Sequence, residues 1–342
     1  PDYTNQKPPQ TPDNPISCAW TAYVTNGWGI SDGYQYILAP GGDGNRNYIG
    51  VLDNMAGTMT QYIPKNIGGT QLGGGFYWEN MFYIVQGKWT DNPSMYKRNK
   101  DNPASWDEGW ISAGTVRGGV IGHFGYSKWG VSTGKYGTTG TYYVMKPGKN
   151  TFSTLTFSGI LATKKIWCVH GSDNETTIVT DSEGNVYRTD SLTSPSTAGK
   201  VYSWPGGLQD DTGGCDIATD NNGTWMIAKR RQYGNGPGGG IMISLDDGRS
   251  WTSQDPPGTG GKYRHVSGVA YGDGVWMCTM AEIGLNTGTT RVAESTNNGS
   301  SWSVVSSSTQ QQGQPQIGCW SVTYAGNRHW CVDFHGRNTC FF

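Results

Sequence analysis

The chain has 342 residues, of which 53 are glycine and 15 are tryptophan, and it has few long apolar helical runs, so it suits one large all-β body with an aromatic core. Lysine plus arginine (25) nearly balance aspartate plus glutamate (26), which argues against a basic surface for nucleic acid or anionic membrane. No stretch approaches the roughly 18 consecutive apolar residues of a membrane span, so we expect no membrane insertion.

The first 16 residues are proline-rich and polar, which disfavours both a helix and a central strand. We expect residues 1–16 to form a linker or extended arm, followed by one β domain over residues 17–342. Inner strands of successive units are predicted near residues 18–26, 73–79, 119–126 and 158–163. Turns of the first three units are predicted at residues 54–57, 99–104 and 147–150, although each lacks most of the signature found later in the sequence.

The second half of the sequence carries a clear repeat, strongest over residues 158–342. Residues 215–228, 266–279 and 319–332 align with one extra residue in the last copy, so that Trp225, Trp276 and Trp330 coincide at steps of 51 and 54 residues. Each unit reads as an inner strand, a Trp-bearing second strand, a third strand, a turn and a fourth strand. Units of roughly 45 to 50 residues have the size of one propeller blade, and the full length accommodates seven.

An eight-residue phrase marks the turn before the fourth strand. It occurs at residues 244–251 and again at 295–302, 51 residues later, with a weaker echo at residues 180–187. The Asp or Asn side chain is expected to cap amides of the turn, with Gly at a position of positive φ and Trp packed beneath. The low-complexity segment 303–316 is predicted to connect units six and seven.

The seventh unit ends after its third strand, at residues 339–342, so its fourth strand is missing from its own sequence. An unpaired sheet edge favours pairing with another segment. We expect the N-terminal arm to supply this strand, or the natural protein to extend beyond Phe342.

Cysteines recur at equivalent positions of the repeat, as in Cys168, Cys278 and Cys331. The cysteines number seven, an odd total, and none of them forms a Cys-x-x-Cys pair. Together with their equivalent positions in the repeat, this favours small buried side chains over a disulfide framework. Assembly in a reducing cytoplasm is the simpler inference.

The pattern Ser-x-Asp-x-Gly-x-x-Trp resembles the Asp-box, or BNR repeat, of sialidase-like β-propellers. The resemblance implies an all-β, seven-bladed β-propeller, with six or eight blades as alternatives, and it gives the box residues a structural role. Those residues are Ser244, Asp246, Gly248 and Trp251 in one copy and Ser295, Asn297, Gly299 and Trp302 in the other.

In a propeller, the loops that enter the first strand and leave the second strand converge on one face, opposite the box turns. The alignment predicts a polar ligand-binding set there, because arginines bind carboxylates and carboxylates accept sugar hydroxyls. A solvated rim that only keeps the loops soluble would have the same composition. The set comprises His170 in unit four, Asp210, Asp211, Arg230 and Arg231 in unit five, Arg264, His265 and Glu282 in unit six, and Asp333, His335 and Arg337 in unit seven.

A glycosidase needs two carboxylates roughly 5 to 10 Å apart, and Asp211, Glu282 and Asp333 are the nearest candidates. However, the Phe/Tyr-Arg-Ile-Pro phrase and the Tyr-Glu pair of sialidases are absent. We therefore expect no catalytic residues of sialidase type. The histidines lack zinc-ligand spacing and the glycine-rich segments lack the context of a phosphate loop, so we expect neither a metal nor a cofactor.

The low-charge repeats rich in Gly, Ser, Asn and Trp also look like Asp-box propellers of bacteriophage virion proteins. That resemblance implies a non-enzymatic structural or attachment module on the virion surface, such as a tail fibre, appendage or capsid knob, assembled in the host cytoplasm. Its expected partners are other virion proteins and host-surface glycans. Two alternatives stay open: a secreted glycoside hydrolase of sialidase-like type, and a propeller that binds a protein partner in assembly or sorting.

Overall fold

A computed structural model of the protein describes 27 strands and the segments that adjoin those in its second half. Side chains are described for most of residues 156–305. The described residues are 27–31, 35–40, 49–53, 60–62, 71–78, 81–87, 94–99, 107–110, 121–125, 129–133, 141–145, 152–309 except 165, 173, 175, 182, 191–197, 205–214, 230–239, 255–263 and 284–287, and finally 319–326, 329–334 and 338–341.

The first half of the fold consists of antiparallel strands that pair with their neighbours in the sequence. Sheet 1 comprises β1 (Gly27–Ser31), β2 (Gln35–Pro40), β3 (Ile49–Asp53) and β4 (Thr60–Tyr62). Sheet 2 comprises β5 (Gln71–Trp78), β6 (Met81–Gly87), β7 (Ser94–Asn99) and β8 (Asp107–Trp110). Sheet 3 comprises β9 (Ile121–Gly125), β10 (Trp129–Thr133), β11 (Thr141–Met145) and β12 (Phe152–Thr156).

The second half repeats this pattern. Sheet 4 comprises β13 (Ile166–Gly171), β14 (Thr177–Asp181), β15 (Asn185–Thr189) and β16 (Gly199–Ser203). Sheet 5 comprises β17 (Cys215–Thr219), β18 (Trp225–Lys229), β19 (Gly240–Ser244) and β20 (Thr252–Gln254). Sheet 6 comprises β21 (Arg264–Gly272), β22 (Val275–Ile283), β23 (Gly288–Ser295) and β24 (Ser303–Thr309). Sheet 7 comprises β25 (Cys319–Gly326), β26 (His329–Phe334) and β27 (Asn338–Phe341).

The first strands of successive sheets lie side by side. β1 contacts β5, β5 contacts β9, and the series continues through β13, β17 and β21 to β25, which in turn contacts β1. Sheets 3 and 4 also share one parallel backbone pair, between Gly125 of β9 and Gly171 of β13. The contacts between first strands therefore return to the strand at which they began.

Most of the predicted strands match strands of the structure. The aligned repeats form the first and second strands of sheets 5, 6 and 7, and the segments 73–79 and 119–126 coincide with β5 and β9. The turns predicted at 54–57, 99–104 and 147–150 lie outside the described residues, except for Asn99, which ends β7. Among the described residues, sheet 7 has three strands, as predicted. Residues 1–16 and the strand predicted at 18–26 lie outside the described residues.

Unit four was aligned incorrectly from the sequence. Residues 158–163, predicted as its inner strand, instead form a 3-10 helix over Gly159–Thr163, and β13 is the first strand of sheet 4. Gly159 has a φ of 64°, which breaks an extended chain, and residues 158–160 between the buried Phe157 and Leu161 are all exposed, so burial does not alternate as it does along a strand. The echo phrase at 180–187 accordingly joins β14 to β15, the second and third strands.

The segment 303–316 was also assigned incorrectly at its start, because residues 303–309 form β24, the fourth strand of sheet 6. Serine, threonine and valine are compatible with an edge strand. Residues 303–309 pair with β23 in an antiparallel ladder, and the low complexity of the segment gave no indication of this pairing.

The core lies between sheets, and sheet 5 is covered on both sides. Along β18, Trp225 and Ile227 pack towards sheet 4, while Met226 and Ala228 pack towards sheet 6. This period-two alternation explains the continuous apolar run in the sequence, because both faces of the strand are buried. The indoles of Trp225 and Trp276 are fully buried, and each such side chain contributes about 1.5–3 kcal/mol through burial.

Cys278 lies in the core between sheets 5 and 6 as a free thiol, in agreement with the prediction for this position. Burial raises the pKa of its thiol well above the usual value. Cys278 therefore acts as a small apolar side chain.

Candidate binding face and its supporting turns

The two copies of the repeated phrase form the same turn. The hydroxyl oxygen of Ser244 accepts a hydrogen bond from the amide of Gly248 at 2.9 Å, and Ser295 accepts one from Gly299 at 2.9 Å. A second side-chain oxygen caps each turn: Asp246 accepts from the amide of Ser250 at 2.8 Å, and Asn297 accepts from Ser301 at 2.9 Å. These bonds satisfy turn amides that strand pairing leaves open.

The glycine of each turn lies against the preceding sheet. Gly248 has a φ of 78° and Gly299 a φ of 81°, in the left-handed region that favours glycine. A Cβ on Gly248 would lie 2.5 Å from Cδ1 of Ile178 in sheet 4, and a Cβ on Gly299 would lie 2.3 Å from Cδ1 of Ile243 in sheet 5. A side chain at either position therefore requires the neighbouring isoleucine side chain to move.

The residue before each glycine holds the tryptophan of the second strand. Asp247 and Asn298 adopt left-handed backbones, with φ of 59° and 53°, which Asp and Asn tolerate better than most residues. The indole N–H of Trp225 donates to Asp247 Oδ1 at 3.3 Å, and that of Trp276 donates to Asn298 Oδ1 at 3.1 Å. The repeated turn thus fixes the second strand of its own sheet.

Asp247 also links sheet 5 to sheet 4. Its Oδ2 accepts hydrogen bonds from Arg188 Nη2 at 2.7 Å and from the Thr176 hydroxyl at 2.8 Å, and its carbonyl oxygen accepts from Arg188 Nε at 2.6 Å. Burial acts to raise the pKa of the Asp247 carboxyl, but the hydrogen bonds from Arg188, Thr176 and Trp225 outweigh it and lower that pKa. At sheet 6 the equivalent residue is the neutral Asn298, and its turn meets the apolar side chains of Met226 and Ile243.

The repeated turns define one rim of the molecule, which we call the turn face. It comprises residues 220–224 and 245–251 of sheet 5 and residues 273–274 and 296–302 of sheet 6. The amide of Asp247 donates to the carbonyl oxygen of Gly223 at 2.8 Å, which joins the two turns of sheet 5. The opposite rim, where first strands begin and second strands end, we call the far face.

The sequence predicted His170 on the far face, and this prediction is wrong. His170 lies near the end of β13, where the strand reaches the turn face, and its ring meets Trp225 edge-on at 5.8 Å between centroids. Nearby Thr176 binds the turn residue Asp247. The error follows from the incorrect alignment of unit four. β13 is a first strand, so it runs in the opposite direction to the second strand that the alignment assumed.

The structure does bring part of the predicted set together. Arg264 begins β21 and stands directly opposite Glu282 of β22 in the backbone register, with His265 opposite Ala281. Asp333 lies near the end of β26 in sheet 7, opposite Ser321 and Thr339, and β22 contacts β25 of that sheet. The backbone therefore places Arg264, Glu282 and Asp333 at the far face of two adjacent sheets. Six other predicted residues lie outside the described part of the protein: Asp210, Asp211, Arg230, Arg231, His335 and Arg337.

Sequence reasoning missed Asp216, a partly buried carboxylate on the first strand of sheet 5. Its Oδ1 accepts from its neighbour Ile217 at 3.0 Å, and its Oδ2 accepts from the amide of Val269 in sheet 6 at 3.1 Å. Burial raises the pKa of the Asp216 carboxyl to about 7, against the opposing effect of the two amide bonds. The sequence did contain a signal for this residue: Asp216 is a charged residue within an apolar first strand. The two aligned units have uncharged residues at this position, Ser267 and Trp320.

Within the described residues, no three His, Cys, Asp or Glu side chains are grouped as metal ligands. Nor does the described part contain a helix long and apolar enough to cross a membrane.

No family model matches the protein, and no curated protein matches it in sequence. Several solved structures nevertheless share its fold over most of their length. A streptogramin B lyase superimposes with a TM-score of 0.61 at 10% identity, covering 93% of both chains. YCF48 bound to a D1 peptide gives a TM-score of 0.58 at 11% identity, covering 94% of both. The WD40 β-propeller domain of Doa1 gives 0.56 at 12% identity, covering 94% of this protein and 93% of the other.

At these identities the similarity concerns the fold alone. Together with the side-by-side first strands and the antiparallel four-stranded sheets, it identifies the fold of this protein as a β-propeller.

Proposed function

We propose that the protein is a seven-bladed propeller that serves as a non-enzymatic attachment module of a virion and binds a host-surface glycan at its far face. The blade count is supported by the order of the first strands, whose contacts close between β25 and β1. The sheet edge at β27 is the place where we expect the N-terminal arm to pair, so that sheet 7 gains its fourth strand.

The pairing of Arg264 with Glu282 is the observation that carries the binding proposal. The β-ladder pairs the backbones of an arginine and a glutamate at the far face, next to the sheet that holds Asp333. Arginine donates paired hydrogen bonds to planar carboxylates, and carboxylates accept from sugar hydroxyls. This combination suits an acidic or hydroxyl-rich glycan.

The virion role draws on the composition of the repeats and on their resemblance to Asp-box propellers of phage particles. A rigid disc behind a proline-rich arm suits a module tethered to a larger assembly, because proline-rich segments are semi-rigid spacers.

A glycan array probed with the purified protein, Arg264→Ala and Glu282→Ala tests the proposal. Loss of a hydrogen bond to a charged group costs about 1.5–3 kcal/mol, which corresponds to a tenfold to 150-fold weaker affinity. Arg249→Ala is the matched control, because Arg249 is an exposed arginine of the turn face (62% side-chain exposure). Equal loss in all three variants, or no binding by the parent protein, would contradict the proposal.

A protein-binding role is the second candidate, and the peptide-bound YCF48 structure favours it because that propeller shares this fold. Capture of a defined extended peptide with no glycan bound on the array would select this function. Hydrolysis of an aryl glycoside that is lost in Glu282→Ala would instead select the hydrolase alternative.

A further inference from the structure

Two Asn-Gly pairs of the described residues have the same chemistry but different environments. One is Asn222-Gly223, in the turn between β17 and β18, and the other is Asn298-Gly299, in the repeated turn of sheet 6. An asparagine followed by glycine is prone to deamidation, because glycine lacks the Cβ that would shield its amide nitrogen. The two pairs therefore form an internal comparison.

At Asn298-Gly299 both reacting groups are held. The side-chain oxygen of Asn298 accepts from the Trp276 indole at 3.1 Å, and the amide of Gly299 donates to Ser295 Oγ at 2.9 Å. Gly299 is also buried. Attack by the Gly299 nitrogen requires its N–H to leave Ser295 Oγ, and rotation of the Asn298 side chain towards that nitrogen requires its bond to Trp276 to break.

At Asn222-Gly223 neither reacting group is held by another described residue. Asn222 is exposed, and the bond made there uses its backbone amide, which donates to Asp220 Oδ1 at 2.8 Å. Gly223 takes part through its carbonyl oxygen, which accepts from the amide of Asp247 at 2.8 Å. The Asn222 side chain is thus exposed to solvent, and Gly223, which is partly exposed, has an amide nitrogen that no described residue holds.

We propose that Asn222 is a site of spontaneous deamidation in the folded protein and that Asn298 is protected. The Gly223 amide loses its proton to base, and its nitrogen attacks Cγ of Asn222. The new C–N bond forms as the bond between Cγ and Nδ2 breaks, and ammonia leaves with the proton. Water then opens the cyclic imide at either carbonyl, giving aspartate or its isoaspartyl isomer at position 222, with no change in oxidation state.

The product alters the turn face. A new carboxylate stands beside Asp220, and the isoaspartyl form inserts one carbon into the backbone of the turn. That turn relies on Asp220 Oδ1 accepting from the amides of Asn222 and Thr224 at 2.8 and 2.9 Å. Ageing at Asn222 therefore changes both the charge and the connection between β17 and β18.

The test is incubation of the full-length protein at mildly alkaline pH, followed by digestion at low pH and mass spectrometry of both Asn-Gly peptides. We expect Asn222 to convert roughly 30-fold faster than Asn298 in the folded protein, a ratio equivalent to about 2 kcal/mol of activation free energy. In denaturant the two rates should become similar, because both sites are then free Asn-Gly peptides.

Equal rates in the folded protein, or faster conversion at Asn298, would overturn the proposal. Ser295→Ala removes the acceptor of the Gly299 amide and should accelerate conversion of Asn298 while that of Asn222 stays constant. A ratio in Ser295→Ala unchanged from the parent protein would show that the hydrogen bond does not protect Asn298.

Discussion

Asp247→Asn tests the polar link between sheets 4 and 5 with little change in shape. The substitution keeps an oxygen for the Trp225 indole, and it keeps a residue type that already adopts this left-handed backbone at Asn298. It removes the negative charge that faces Arg188, whose side chain is only 10% exposed. With the oxygen kept on Trp225, the Oδ2 position becomes an NH2 group, which cannot accept, so the charge-assisted bond from Arg188 Nη2 is lost, while the bond to the backbone carbonyl remains.

We expect the free energy of unfolding to fall by about 1–2 kcal/mol. A hydrogen bond to a charged group contributes about 1.5–3 kcal/mol, and solvent at the 27% exposed Asp247 reduces that contribution. The pKa of the Asp247 carboxyl is lowered in the fold, so its stabilisation is present above the usual carboxyl pKa and is lost as the pH falls. The difference between parent and variant should accordingly shrink in acid.

The free energy of unfolding is measured by urea titration followed by tryptophan fluorescence. Its dependence on urea concentration, the slope m, must be the same in parent and variant for the two values to be compared. Asp190→Asn is the matched control, because Asp190 pairs with the same Arg188 but is 78% exposed, so its loss should cost roughly 0–0.5 kcal/mol. An equal cost for the two variants, or a cost below about 0.5 kcal/mol for Asp247→Asn, would refute the assigned link.

Gly299→Ala should lower the free energy of unfolding by about 2–4 kcal/mol, because the new Cβ meets Ile243 Cδ1 at 2.3 Å and the residue has a φ of 81°. Gly274→Ala has a φ of 80° but open space around it, so it should cost only about 1–2 kcal/mol in the same urea titration; equal losses would contradict the packing argument. Asp216→Asn should flatten the pH dependence of stability between about pH 4 and 7, since a folded-state pKa of about 7 means that wild-type stability is complete below the unfolded pKa and declines as the pH rises. Between about pH 4 and 8 the parent should lose about 2–4 kcal/mol of stability relative to the variant, a range that allows for the partial exposure of Asp216, and parallel stability curves for the two proteins would contradict this.

The sequence predicted best what local pattern determines. The repeat correctly placed Trp225 and Trp276 on second strands. The Ser and Gly positions of the repeated phrase predicted turns, and the structure has these turns, closed by the hydrogen bonds that Ser244 and Ser295 accept. These features depend on residues within one hairpin, which is why a single unit could be interpreted by comparison with the next.

Features that depend on a neighbouring sheet could not be predicted in this way. The segment around Cys168 was aligned with that around Cys278, yet it forms a first strand, because the chain turns at Gly159 and β13 lies beside β9. The role of Asp216 likewise depends on the amide of Val269, which is 53 residues away in the next sheet. His170 was assigned to the wrong face for the same reason, because the order of a strand in its sheet determines which face of the molecule its end reaches.

Hydrogen–deuterium exchange of the protein with and without its array-selected glycan tests the binding face most directly. We predict slower exchange on binding at residues 264–265, 281–283 and 333–334, at the far face of sheets 6 and 7, with unchanged exchange at residues 245–251 and 296–302. Protection confined to the two repeated turns, or absent from the far face, would contradict the proposed binding face.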